Sequence, residues 1–161
     1  MIKLLAAIVL LGCPALASAS TILHIGDSHS VGPFGRLMDR RLREIPGATV
    51  GLYGSCGSVA RWWFTGTATP CGYLYVGKDG VQNKGTKAPT PLASELLSEY
   101  RPDITIVELS GNYVVGYEKA GAVADMRRIA QLVVDSGSRC LWTSQPDNQK
   151  YRSENARLQA W

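Results

Sequence analysis

The sequence predicts an α/β fold with a mostly parallel sheet, and two observations lead to that prediction. Short apolar runs that suit buried strands alternate along the chain with longer segments whose apolar residues recur at helical spacing. Polar or glycine-rich turns follow three of these strands, as expected where functional loops lie at the carboxyl ends of parallel strands. The expected architecture has three layers, with helices on both faces of one sheet.

The elements follow one another in a regular order. The predicted strands are residues 21–25, 48–53, 104–109 and 139–143, and the predicted helices are residues 33–45, 90–100 and 117–136, with the start of a further helix at 155–161. Pro46 and Gly47 end the first helix because both residues disfavour its continuation. The apolar residues of 59–89 recur at neither helical nor strand spacing, which predicts either a long ordered loop or a small hairpin. A loop of that length in a compact domain is usually functional.

Residues 1–19 predict a secretory signal peptide. The segment begins with the positively charged Lys3, and residues 4–11 are apolar but too few to span a bilayer. Ala17-Ser18-Ala19 then matches a small-x-small cleavage site. A second interpretation stays open, because the segment ending at Cys13 resembles a lipobox, in which that cysteine becomes the lipidated first residue. No segment after the leader predicts a transmembrane helix.

Residues 20–161 are enough for one domain. The whole chain is 45% apolar and 19% charged with a net charge of +4, which is the composition of an ordinary globular protein. That charge is too small to indicate nucleic-acid binding. The arginines between Arg36 and Arg43 are interrupted by Asp39, and they predict a solvated helix face.

Export implies an oxidising compartment, and three cysteines follow the leader. Cys56 and Cys71 lie in a loop-rich stretch and predict a disulfide. Cys140 lies in an apolar strand and predicts a buried thiol, or the partner of a cysteine beyond residue 161. No cysteine pair has metal-ligand spacing and the chain has only two histidines, so we expect no metal and no cofactor.

Ser28 follows the first strand in a tight turn that Gly26 permits. A serine hydroxyl needs a base to take its proton and donors to hold the oxyanion that forms. The backbone N–H groups of Ser28 and Gly57 and the side-chain amide of Asn112 could supply those donors, each typically worth roughly 3–4 kcal/mol. Structural interpretations stay open beside this one: Asp27 and Ser28 are common turn residues, and Asn112 could cap a helix.

Taken together, these blocks resemble the SGNH/GDSL hydrolase family. Gly26-Asp27-Ser28 matches the first block, and Gly54-Ser55-Cys56-Gly57 is similar to the second, with Cys56 in place of its usual serine. Asn112 matches the third block, although Ser110 stands where its first glycine would be. The resemblance implies a flavodoxin-like three-layer fold, a serine nucleophile and an oxyanion hole formed by the Ser, Gly and Asn positions.

The family's histidine base belongs to an Asp-x-x-His block, and nothing like it follows Cys140. The expectation is that the domain is truncated before this block, and that the chain as given has little or no activity. His29 is adjacent to the nucleophile in sequence and is not expected to reach its Oγ directly. It is instead expected to line the site and contact substrate, or to be satisfied by local hydrogen bonds.

Three aromatic residues are possible substrate-lining positions: Trp62, Trp63 and Tyr113. The two tryptophans could form a sugar-stacking wall, or a small core held by the disulfide. With export, this favours an ester hydrolase acting on an acylated carbohydrate, such as an O-acetyl ester of an envelope or extracellular polysaccharide. Lipid and small-ester substrates stay open.

Two alternatives stay open. One is a carbohydrate-binding protein that keeps the fold without the catalysis. The other is a lipase of the α/β-hydrolase fold, because residues 26–30 nearly match its Gly-x-Ser-x-Gly turn. That turn normally follows several strands, whereas Ser28 follows the first.

Overall fold

The structure, a computed structural model, describes residues 19–114 and 116–143. Its strands are β1 (Thr21–Gly26), β2 (Thr49–Ser55), β3 (Tyr73–Val76), β4 (Gln82–Gly85), β5 (Ile104–Glu108) and β6 (Arg139–Trp142). Its helices are α1 (Ser28–Val31), α2 (Pro33–Arg43), α3 (Trp62–Thr65), α4 (Ala93–Tyr100) and α5 (Lys119–Asp135), with a 3-10 helix at Gly111–Val114. All six strands form one sheet in the order β4-β3-β2-β1-β5-β6.

The strands β2, β1, β5 and β6 run parallel, which confirms the mostly parallel sheet. The strand β1 lies between β2 and β5, and its last residue, Gly26, pairs with Gly54 of β2 and Glu108 of β5. Neighbouring strands lie about 4.8 Å apart. The loops after β1, β2 and β5 therefore leave the sheet side by side at the same edge.

The strands β3 and β4 form an antiparallel hairpin that extends the sheet beyond β2. Of the two interpretations of residues 59–89, the hairpin is confirmed, and the sheet has two strands more than the four predicted. Leu74 and Val76 of β3 are buried, whereas all four residues of β4 are exposed. The strand β4 has no apolar alternation, so no hydrophobic pattern marks it in the sequence.

Helices cover both faces of the sheet, as the three-layer prediction requires. Leu23 and Ile25 of β1 point to one face and belong to a large core formed with α3, α4 and α5. Ile22 points to the opposite face and packs in a second core with residues of α2. This division follows from the alternation of side chains along a strand.

Several predicted boundaries differ from the observed ones by a few residues. The helix α2 ends at Arg43, two residues before the predicted end, and β2 continues to Ser55. Pro91 lies before α4 rather than in its first turn, because Leu92 is extended with φ −73° and ψ 128° and the helix begins at Ala93.

Some predictions fall outside the described residues. These are the leader, the lipobox with Cys13, and the further helix at 155–161. Within residues 19–114 and 116–143, none of the helices combines the length and apolar character needed to cross a membrane.

Candidate active site

The turn that carries Ser28 joins β1 to α1 and is fixed by Asp27. The Asp27 side chain is fully buried, and its Oδ1 accepts a hydrogen bond of 3.0 Å from the backbone N–H of His29, which caps α1. The backbone N–H of Asp27 donates to the carbonyl of Glu108 at 3.0 Å. Both contacts hold Ser28 at the start of α1, directly above the edge of the sheet.

Gly26 allows the turn to sit close to the buried side chains below it. A Cβ at this position would collide with Ser30 Oγ and lie 3.1 Å from Glu108 Oε2. Ser28 itself is half-buried, and in the described part of the chain its hydroxyl makes no hydrogen bond. The turn is therefore closely packed from below, while the Ser28 hydroxyl is free of hydrogen bonds to the described residues.

Gly57 lies in the loop after β2, next to the Cys56–Cys71 disulfide, which confirms that predicted pair. The φ of Gly57 is +82°, a left-handed conformation that favours glycine. Its backbone N–H has no hydrogen-bond acceptor among the residues described, whereas the N–H of Cys56 donates to Gly72 at 2.9 Å. A Cβ at Gly57 would lie 3.6 Å from Trp62 Cη2, so this tryptophan ring borders the loop.

Asn112 connects the three loops. Its side-chain amide donates to the carbonyl of Ser58 at 2.9 Å and to Asp27 Oδ2 at 3.4 Å. Asp27 follows β1, Ser58 follows β2 and Asn112 follows β5. The structure thus brings Ser28, Gly57 and Asn112 to the ends of three adjacent strands, with the Asn112 amide engaged by protein acceptors.

A buried polar cluster lies beneath the nucleophile turn, and sequence reasoning missed it. Glu108 is 2% exposed, and its Oε2 accepts a short hydrogen bond from Ser30 Oγ. Ser30 Oγ also lies 3.2 Å from Nε2 of the buried His24. The signal in the sequence was Glu108 itself, a lone acidic residue at the end of β5, whose other residues are uncharged and, apart from Thr105, apolar.

His29 lies between this cluster and the open side of the site. Its Nδ1 is 3.1 Å from Asp27 Oδ1 and 3.8 Å from Glu108 Oε1, while 36% of its side chain is exposed. The hydrogen bond to Asp27 raises the pKa of His29 above its usual 6.5, partial burial lowers it, and the charges of Asp27 and Glu108 raise it further. The net direction is upward, so the imidazole is more basic than a free histidine.

Within the described residues, Asp27, His29 and Glu108 form the group of side chains that could hold a metal ion. One ligand atom from each of Asp27, His29 and Glu108 lies within 4.8 Å of the others. These carboxylates already accept hydrogen bonds from His29, Asn112 and Ser30. Within the described residues, these same carboxylates thus serve as hydrogen-bond acceptors.

The aromatic positions divide into core and surface. Trp63 is fully buried and donates from its indole N–H to Ser58 Oγ at 3.3 Å. Tyr113 is also fully buried, and its hydroxyl accepts from the N–H of Ala60 at 3.1 Å. The substrate-lining role predicted for these two is corrected, because their rings belong to the core. Trp62 is half-buried and keeps an exposed surface beside the Gly57 loop.

Cys140 is a free, half-buried thiol whose neighbours include residues of the large core. Burial raises the pKa of this thiol, which lowers the fraction present as thiolate. Cys140 therefore has the character of a structural cysteine rather than a reactive one.

Comparison with solved structures supports the α/β fold. The crystal structure of TesA is similar, with a TM-score of 0.51 and 20% identity over 86% of this chain and 69% of TesA. At this identity the similarity establishes the fold and not the activity.

A weaker similarity is to the crystal structure of a DUF4886 family protein from Bacteroides uniformis. Its TM-score is 0.49 with 16% identity, over 78% of this chain and 49% of that one. No protein-family model matches the sequence, and no curated protein matches it.

Proposed function

We propose that this chain is an exported serine esterase in which Ser28 attacks carboxyl esters. The observation that supports this most is the convergence of Ser28, Gly57 and Asn112 at the ends of the adjacent strands β1, β2 and β5. Ligand sites in parallel α/β sheets form at this edge. The SGNH/GDSL-like fold, with its similarity to TesA, is consistent with the same assignment.

In the proposed reaction, Ser28 Oγ adds to the ester carbonyl. The carbonyl oxygen becomes an oxyanion between the backbone N–H groups of Ser28 and Gly57, and neither N–H donates to a protein acceptor in the part described. Asn112 serves as a third donor by giving up its longer contact, the 3.4 Å hydrogen bond to Asp27.

We assign the substrate to acylated carbohydrates, with O-acetyl esters as the preferred class. The half-exposed ring of Trp62 beside Gly57 offers a flat apolar surface next to the reacting carbonyl. Residues 1–19 act as the secretory leader of a single domain at 20–161, or Cys13 anchors the chain as a lipoprotein. The Cys56–Cys71 disulfide fits an oxidising compartment.

Ser28 needs a proton acceptor. Neither His24 nor His29 bonds to Ser28 Oγ in the described structure, and the Asp-x-x-His block expected to supply the base does not follow Cys140. With no histidine bonded to Ser28 Oγ in the described residues, we expect little or no hydrolysis of unactivated esters, and slow acylation of Ser28 by activated aryl esters.

The test compares the wild-type protein with Ser28→Ala and the matched Ser98→Ala, an exposed serine of α4. With p-nitrophenyl acetate, the wild type and Ser98→Ala should release p-nitrophenol and form an acetyl-enzyme detectable by mass spectrometry. Ser28→Ala should reduce release to the background rate and remove the adduct. Equal release by Ser28→Ala and the wild type contradicts the proposal.

A non-catalytic carbohydrate-binding role is the second candidate, because the Asn112 amide is already engaged by Ser58 and Asp27. That role predicts binding of acetylated polysaccharide over the deacetylated form, with no release of acetate. Calorimetry with both polymers, alongside an acetate assay, separates binding from hydrolysis.

A further inference from the structure

A small cavity lies where the helices α1 and α2 face the hairpin formed by β3 and β4. Its volume is about 250 Å³, and its lining residues are Val31, Arg36, Tyr73, Leu74, Lys84 and Gly85. Two of these residues are cationic and none is acidic, so we call it the basic cavity. Pockets that enclose a whole small-molecule ligand typically measure about 300–1,000 Å³. The basic cavity therefore suits one charged group of a larger ligand.

The two cations reach the basic cavity from different elements. Lys84 of β4 pairs with Leu74 of β3, so their side chains lie on the same face of the sheet. On that face the buried Leu74 belongs to a cluster against which Val31 of α1 packs. Arg36 lies in the first turn of α2, directly after α1. The sheet register and the packing of α1 thus bring a guanidinium and an ammonium to one cavity.

Neither cation of the basic cavity has an acidic partner. In the part of the chain that the structure describes, the side chains of Arg36 and Lys84 form no ion pair and no hydrogen bond. Arg43, on the same helix as Arg36, does have a partner and lies 2.9 Å from Asp39. Like charges that face one cavity repel each other, and an anion between them would be attracted by both. The charge pattern therefore favours an anionic ligand.

The basic cavity adjoins the nucleophile turn. Val31, one of its lining residues, ends the short helix α1 that begins at Ser28, and three residues of an α-helix rise about 4.5 Å. The loop after β2 lies beside it, because the N–H of Cys56 donates to the carbonyl of Gly72 at 2.9 Å. A Cβ at Gly72 would lie 4.0 Å from Val31 Cγ1. A carbohydrate chain with its ester at Ser28 can therefore place a neighbouring sugar unit at the basic cavity.

We propose that the basic cavity binds a carboxylate of the polysaccharide whose acyl group Ser28 removes, so that the substrate is an acylated polysaccharide containing uronic-acid units. This inference rests on the proposed esterase function for its role in catalysis, whereas the binding of an acidic carbohydrate rests on the cavity itself. The planar guanidinium of Arg36 can bind a carboxylate through two parallel N–H groups, and the ammonium of Lys84 adds a second charge.

The first experiment measures binding without hydrolysis, in the Ser28→Ala chain. The ligand is an oligogalacturonate, and the matched ligand is the same oligomer with its carboxyls reduced to alcohols. In calorimetry the acidic oligomer should bind about tenfold more tightly, because two largely exposed ion pairs contribute up to about fivefold each. The difference should shrink as salt is added, since salt screens exposed charges.

Charge-removing variants in the same Ser28→Ala chain assign the preference to the cavity. Arg36→Gln and Lys84→Gln should each weaken binding of the acidic oligomer by about threefold to fivefold, and together they should abolish the preference. The control combines Arg40→Gln with Lys87→Gln, which removes the same charge from exposed residues outside the cavity lining. The control should keep the full preference for the acidic oligomer.

The second experiment asks whether the basic cavity and Ser28 bind the same ligand. With Ser28 present, oligogalacturonate at about five times its Kd should slow acylation by p-nitrophenyl acetate about sixfold, because the bound chain covers the nucleophile. At the same oligomer concentration, Arg36→Gln with Lys84→Gln should show a slowing of only about 1.5-fold, since its Kd is about tenfold weaker. The variant of Arg40 and Lys87 should be protected like the wild type.

The outcomes separate this inference from the esterase function. If p-nitrophenyl acetate does not acylate Ser28 but the acidic oligomer binds through Arg36 and Lys84, the esterase function fails and the basic cavity remains a carbohydrate-binding site. Equal binding of the two oligomers, an equal loss in the control, or binding that leaves acylation unchanged overturns the inference. A single-stranded oligonucleotide of equal charge that binds more tightly through the same two cations also overturns it, because the partner would then carry phosphates.

Discussion

The buried and open sides of the nucleophile turn are built in opposite ways. Beneath the turn, the Ser30 hydroxyl donates to the Glu108 carboxylate and the backbone N–H of Asp27 donates to the Glu108 carbonyl, and all three residues are buried. Above it, the hydroxyl of Ser28 and the N–H of Gly57 have no protein partner among the residues described. An unpaired polar group is costly in the interior and tolerable where water or substrate can reach it. Hydrogen bonds therefore fix the turn from below and leave its upper groups for chemistry.

This contrast predicts two kinds of variant. A change on the buried side should lower the free energy of unfolding, because it disturbs groups that have no alternative partner. A change on the open side should leave that free energy nearly constant and alter reactivity instead. His29 spans both sides and should show both effects.

Gly26→Ala should have the largest effect on stability. The added Cβ collides with Ser30 Oγ beneath the turn, so we expect a loss of about 3 kcal/mol in the free energy of unfolding. Urea unfolding followed by circular dichroism measures it.

The matched control for Gly26→Ala is Gly121→Ala. Gly121 lies within α5, and a Cβ there meets no atom within 4 Å. Alanine suits a helix better than glycine, so this variant should be more stable by about 0.5–1 kcal/mol. A loss of stability of the same size in both variants would contradict the close approach at Gly26.

Removing the Cys56–Cys71 disulfide tests the open side of the turn, because this bond holds the loop that carries Gly57. The bond joins residues 15 positions apart, and Cys56→Ser with Cys71→Ser should cost roughly 2–3 kcal/mol. The left-handed Gly57 adjoins Cys56, so acylation of Ser28 should slow as well. A reductant should lower the melting temperature of the wild type and leave that of the double variant unchanged. A wild-type melting temperature that the reductant leaves unchanged would contradict the structural role of this bond.

Asp27→Asn alters the histidine that spans the two sides. The Oδ1 of asparagine can still accept from the backbone N–H and the Nδ1–H of His29, but it lacks the negative charge that strengthens the Asp27 hydrogen bond and attracts the imidazolium, which together contribute most to the raised pKa. The pKa of His29, measured by NMR titration, should fall. Glu108→Gln should lower it less, because the Glu108 charge is a smaller cause.

The sign for stability follows from linkage. A pKa raised in the folded state stabilises the protein fully below the unfolded value of 6.5, and that contribution disappears as the pH rises through the folded pKa. The wild type should therefore lose more stability across this window than Asp27→Asn does. Equal slopes in the two proteins would show that Asp27 does not control the titration of His29.

Ser28→Ala should have the smallest effect on stability. The hydroxyl makes no hydrogen bond in the described structure, so the free energy of unfolding should change by no more than about 0.5 kcal/mol. Ser30→Ala provides the contrast on the buried side, since it removes the donor to Glu108 and should cost about 1–3 kcal/mol. Comparable losses in both variants would remove the distinction between the two sides.

Local patterns in the sequence were enough to predict much of the fold. The alternation of apolar strands with amphipathic helices predicted the parallel sheet and its layers. The position of Cys56 and Cys71 in a loop-rich stretch predicted their disulfide. The sequence did not predict β4, because its four exposed residues carry no hydrophobic signal. Nor did it separate the buried Trp63 from the half-exposed Trp62, since adjacent aromatic residues look alike before a core exists.

The sequence by itself determined the order of the strands along the chain, the turns that follow them, and the residue types that could act there. Only the tertiary structure decided which of those residues meet. Glu108 lies beneath the Ser28 turn because β5 pairs with β1 in the register that sets Glu108 opposite Gly26. Such contacts join residues about 80 positions apart, and they depend on packing of the whole sheet rather than on any local preference of the chain.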